Sequence, residues 1–186
     1  MAMSNGLNEQ TTHLPLRHEC KILAKDLIDY KLGQSTEPAN AAAKTLRKLS
    51  DDIEKRNPDL LEQLCTKLNF SKETRYCSFA EIAKEVFSDG VINWGRIAVL
   101  YAFGARLGKH CCDNDMSEQL DYIPEWIARF VTGLSDWIEK QGGWVRKFFL
   151  STFCFVYIFR SVWRRPWNSR ENCFYLNFNI ATIVVL

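Results

Sequence analysis

Ser88-Asp89-Gly90-Val91-Ile92-Asn93-Trp94-Gly95-Arg96, followed by the apolar run from Ile97 to Leu107, decides how the rest of the chain is read. Asp89-Gly90 reads as a turn and Asn93 as an N-cap, which makes Trp94, Gly95 and Arg96 the first residues of a helix reaching about Cys112. Ile97, Ala98, Val99, Leu100, Tyr101, Ala102, Phe103, Ala105 and Leu107 leave that helix no polar stripe, the pattern of a helix enclosed on all sides. Arg96, Arg106 and Lys109 interrupt it short of the roughly 20 apolar residues that a bilayer span requires. Arg96 itself stands against local physics. A cation in the first turn faces the positive end of the helix dipole, and the positions four residues away hold Ile92 and Leu100, so no acid relieves it there. The expectation is a carboxylate supplied from elsewhere, with an internal ion pair or plain solvation as the simpler alternative.

At 186 residues the chain suits one domain with a sizeable core. Its 24 basic and 22 acidic residues nearly cancel, which argues against a nucleic-acid partner. Met1 to Thr12 is polar and carries no apolar signal core, so the expected location is cytoplasmic, where the seven cysteines stay reduced. Those cysteines form no C-x-x-C pair, and neither a metal site nor a cofactor is expected. His13, His18 and His110 stand near no nucleophile motif, phosphate loop or paired acids, so the chain is read as not an enzyme.

The periodicity outlines further helices. Leu16, Cys20, Leu23, Leu27 and Tyr30 step by four and three, giving a first amphipathic helix that ends near Gly33. Ala42, Leu46, Leu49 and Ile53 mark a second, which stops at Asn57-Pro58, and Leu60 to Leu68 a short third. Phe70 to Cys77 reads as a loop, and Ser78-Phe79-Ala80-Glu81 as a capping box opening a fourth helix through Phe87. Beyond the turn Asp113-Asn114-Asp115, the residues Leu120, Ile123, Ile127, Phe130 and Leu134 trace another buried face. Pro124 either kinks that helix or starts it, and Trp137 and Ile138 carry the face on to a glycine stop at Gln141-Gly142-Gly143. The fold class is therefore all-α, a helical bundle around one central apolar helix. Its divisions are a flexible N-terminus at 1–13, a helical domain at 14–150 and a tail at 151–186. In the tail an apolar run, four arginines and a second apolar run interrupted by Asn177 and Asn179 follow one another. Two readings stand side by side: a last helix on the bundle with a frayed end, or peripheral membrane contact.

Three of these segments together resemble the Bcl-2 family of apoptosis regulators over roughly residues 14–150. Asp89 to Arg96 looks like the family's first homology region, in spacing most similar to the myeloid cell leukaemia branch of survival proteins. Ala42, Leu46, Leu49, Ser50, Asp51 and Ile53 look like the third, with Ser50 where the family usually has Gly. Asp136-Trp137 through Trp144 looks like the second.

The resemblance implies a surface hydrophobic groove that takes the amphipathic homology helix of pro-apoptotic family members, with Arg96 pairing to that helix's Asp. Val86, Phe87, Val99, Leu100 and Phe103 are the expected walls, along with the exposed flank of the second helix, and Asn93, Gly95 and Arg96 complete the groove residues. It further implies an anti-apoptotic role restraining permeabilisation of the mitochondrial outer membrane, and association with that or another intracellular membrane. The alternative of the same fold is a pro-apoptotic effector that permeabilises membranes, using its own third-region helix as the exposed trigger.

Overall fold

The computed structural model describes residues 16–56, 58–68 and 75–142. The expected N-terminal segment, the tail, Asn57 and Trp144 lie outside them. Among the described residues every regular element is helical. They are α1 (Leu16–Lys31), α2 (Ala41–Arg56), α3 (Pro58–Thr66), α4 (Arg75–Val86), α5 (Trp94–Asp113), a short 3-10 turn (Ser117–Gln119), α6 (Ile123–Thr132) and α7 (Ser135–Lys140).

The architecture follows from α5. Every residue from Gly95 to Ala105 is buried, so this helix can be stable only inside a shell of others. Packing contacts give the order of that shell: α1 lies between α2 and α6, α2 also packs on α3, and α6 also packs on α4, while all five touch α5. The ring α3–α2–α1–α6–α4 is thus continuous except between its two ends, since α3 and α4 form no comparable contact with each other. The floor beneath that seam is α5. Next to α4 in the ring, α6 comes unusually close to α5: a Cβ built on Gly104 would stand 2.3 Å from Cδ1 of Ile127. Only a residue without a side chain allows that approach.

A polar network absent from the sequence reading holds α1 to α2. Arg47 Nε and Nη2 donate to the two carboxylate oxygens of Asp26, both at 2.8 Å. The same guanidinium donates to the carbonyls of Thr36 and Glu37, each at 3.0 Å, and lies 4.7 Å from the centre of the Tyr30 ring. Asp26 also accepts the Ala39 N–H at 2.7 Å. Both charges are buried, Asp26 at 7% exposure and Arg47 at 5%. They are tolerated because the pair is bidentate and further hydrogen bonds from the 35–39 linker surround it.

Two local readings are corrected and one open alternative is resolved. The residues Ser78 to Glu81 do not open α4, which begins at Arg75. Nothing between Arg75 and Cys77 breaks a helix, and the Arg129 guanidinium of α6 stacks 4.2 Å from the centre of the Tyr76 ring, fixing the added turn. Pro124 lies in the first turn of α6 and so marks a start rather than a kink. The face does not run unbroken into Trp137. The chain leaves the helix at Gly133, whose N–H bonds back to Phe130 O at 3.0 Å, and α7 restarts at Ser135. Ile138 still reaches the core, and Trp137 meets Trp94 edge to face at 5.1 Å between ring centres.

Candidate functional site

The site is built at the start of α5. Asn93 has extended backbone, φ −154° and ψ 168°, and its Oδ1 accepts the Arg96 N–H at 3.0 Å, the cap that the sequence predicts. Ahead of it Gly90 takes φ 77°, a left-handed conformation natural to glycine, and Asp89 Oδ1 accepts the Val91 N–H at 3.0 Å. This turn folds Asp89 back onto the helix end. Arg96 Nη2 donates to Asp89 Oδ2 at 2.7 Å, Nη1 donates to Asp89 Oδ1, and Nη1 also reaches the Val91 carbonyl at 2.9 Å.

The internal ion pair, the simpler alternative to a carboxylate supplied from elsewhere, is therefore what forms. Its acid sits seven residues earlier, across a capped turn, where a rule of helical spacing does not look. Plain solvation, the other alternative, is excluded by burial. The Arg96 side chain is 1% exposed and that of Asp89 is 30% exposed. The guanidinium holds the Asp89 carboxyl well below the usual carboxylate range.

The apolar candidates fall beside the seam and are covered. Val86, Gly95, Val99, Leu100 and Phe103 are buried, while Phe87 and Asn93 are half-buried. Phe103 stacks on Phe79 of α4 at 5.5 Å, and Phe87 contacts Phe130 of α6 at 5.7 Å. Leu100 and Phe103 belong to the core in this state. Sequence reasoning missed the contribution of α3, whose Leu61, Leu64 and Cys65 are buried, although the spacing of those residues carried the signal. It also missed the tie between α3 and α5, in which Arg106 Nε donates to Glu62 Oε2 at 2.8 Å and His110 Nδ1 stands 3.7 Å from Glu62 Oε1.

The third-region residues lie together on α2. Ala42, Leu46, Leu49, Ser50 and Ile53 face the core, and Asp51 faces outward. Asp51 accepts from Tyr30 Oη at 2.9 Å and Lys31 Nζ at 2.7 Å, and Lys31 also donates to Glu54 at 2.8 Å. The Ser50 hydroxyl is buried and has no hydrogen-bond partner among the described residues. Among the described residues no three His, Cys, Asp or Glu side chains gather as a metal site would need. Burial pushes the Cys65 thiol up to about 12 and the Cys111 thiol to about 11, so neither is a nucleophile at neutral pH.

The ion pairs predict an acid response. Arg96 lowers the Asp89 carboxyl, Arg106 that of Glu62 and Arg17 that of Glu125. Groups lowered by folding contribute stability above their unfolded pKa, about 4, and lose it as pH falls through the folded value. The urea midpoint should therefore decline from about pH 4 downward, and Asp89→Asn should flatten that decline. Midpoints measured from pH 6 to pH 2 check this. An unchanged slope in the variant would remove Asp89 from the account.

The model of the family described as "Apoptosis regulator proteins, Bcl-2 family" matches residues 46–144. The chain is 36% identical over 132 residues to apoptosis regulator R1 of Xenopus laevis, covering 67% of this chain and 58% of that one. It is 34% identical over 108 residues to Bcl-2-like protein 1 of Homo sapiens, covering 58% and 46%. The chain thus spans about half the length of the curated relatives it matches. Trichoplax adhaerens trBcl-2L2, solved bound to trBak BH3, superposes with a TM-score of 0.64 at 28% identity, over 75% of this chain and 99% of that one. The zebrafish pro-survival protein NRZ, solved with Bad BH3, superposes at 0.66 and 25% identity, over 76% and 94%. The myeloid cell leukaemia branch, expected from the first motif's spacing, has no counterpart among these four. The chain belongs to the Bcl-2 family of apoptosis regulator proteins.

Proposed function

We propose that the protein is an anti-apoptotic member which binds the amphipathic homology helix of pro-apoptotic relatives in the seam between α3 and α4, over α5. The observation carrying this reading is that α3 and α4 both pack on α5 yet make no comparable contact with each other, while their apolar side chains join the same core cluster as those of α5. Helix-in-groove recognition needs such apolar walls, and one charge to set register, here Arg96. The two solved neighbours were each determined with a BH3 segment bound, of Bak and of Bad. Binding requires the walls to part, since they are buried in the free protein. The effector alternative is disfavoured by α2. Its third-region residues are packed inward and its Asp51 is held by α1, so exposing it would break the Asp26–Arg47 pair as well. The place of action proposed is an intracellular membrane, the mitochondrial outer membrane included, reached without a described helix able to span one.

Calorimetry with Bak and Bad BH3 peptides tests the reading. Arg96→Ala should cost about 2–5 kcal/mol of binding and show strong coupling with Asp→Ala in the peptide. The melt of Arg96→Ala should fall too, because this side chain is buried, so the coupling energy and not the melt is decisive. Coupling of zero, or dye release from liposomes triggered by the peptide, would refute the proposal.

A further inference from the structure

At the charged end of the seam, the pair that fixes register is not an isolated cation. Arg96 is enclosed, and the part of the pair that meets water is the carboxylate of Asp89. A partner approaching this point therefore encounters negative charge first. Its own acid can reach Arg96 in only two ways. It can displace Asp89, which also holds the Val91 N–H and the turn before α5, or it can share the guanidinium while Asp89 stays in place. Displacement would give up a bidentate pair and the turn's own hydrogen bond together, so sharing is favoured. Sharing sets two carboxylates against one cation. The repulsion is relieved when the partner supplies a positive charge to the outer face of Asp89.

We propose that Asp89 is a positioning and specificity residue: it holds the Arg96 guanidinium in one orientation and receives a Lys or Arg of the partner helix next to that helix's acid. The site then reads an acid–base doublet, and a helix with an acid but no neighbouring base is the poorer ligand. This rests on the proposed helix-binding function, whose failure is separately visible as a wild-type protein that binds no peptide.

The test uses a helical peptide carrying one Asp, with the residues four before and four after it set either to Lys or to Gln. The wild-type protein should favour the Lys peptide by about fivefold, the upper end for a pair still partly in water, and 1 M salt should erase most of that preference. Asp89→Asn should weaken the Lys peptide alone and bring the two affinities together. Tighter binding of both peptides to Asp89→Asn would show that Asp89 is a competitor to be displaced, overturning the proposal. A preference unchanged by the substitution would overturn it as well. Should Asp89→Asn melt too low to titrate, the salt dependence of the wild-type preference decides, and a salt-independent preference counts against it.

Discussion

Arg47→Ala should lower the melting temperature by about 10 °C, the largest effect expected of any single polar substitution in the described residues. The reason is the partner left behind. Asp26, 7% exposed, would keep its charge in the interior with only the Ala39 N–H bonded to it, and Thr36 and Glu37 would each lose a donor. Breaking a buried pair from one side costs about 3–5 kcal/mol, and a chain of this size loses roughly 2–4 °C for each of these. The same physics predicts recovery. Asp26→Leu with Arg47→Met, two apolar side chains of comparable reach, should regain most of the loss, because no charge then remains to be solvated. Melts of the three proteins by circular dichroism check both statements. A loss under about 2 °C in Arg47→Ala would mean that water enters and solvates Asp26.

Leu49→Glu should be more damaging to the fold than to any surface function. Leu49 is 7% exposed on the inward face of α2, beside Leu46 and Ile53. A carboxylate there must either ionise without a partner or protonate, and the cost of about 4 kcal/mol is several times that of an ordinary surface change. Lys48→Glu, one residue away and exposed, is the control and should stay within about 0.5 kcal/mol. Urea denaturation of both variants is the measurement. An effector would give a different pair of results, a resting fold untouched by Leu49→Glu together with lost oligomerisation, and that outcome would end the survival assignment.

The contrast between these two residues shows what a sequence can disclose. Leu49 was legible because an amphipathic helix writes its buried face as a period, and Asn93 because a cap acts within three residues of itself. Arg47 was not, since nothing in a lysine-rich surface pattern distinguishes the one cation that turns inward toward an acid 21 residues earlier. Asp89 and Arg96 were both read, one as a turn and one as a helix terminus, but their pairing depends on a reversal of chain direction between them. Likewise the early start of α4 comes from Arg129 lying over Tyr76, a contact between elements distant in sequence. Local signals thus located α1 to α6, while the break that separates α7 from α6 was missed. The seam where α3 and α4 fail to meet could be seen only in three dimensions.

Gly104 carries a mechanical consequence. With Ile127 seated where a side chain would begin, α6 is notched into α5, and sliding either helix along the other would drive that methyl into the bulk of a neighbouring position. The pair therefore translates and tilts as one piece. Widening of the seam then moves α4 against a locked α5–α6 pair, its two neighbours, or moves α3 at the opposite edge, so the stiff part of the molecule forms one wall of the opening.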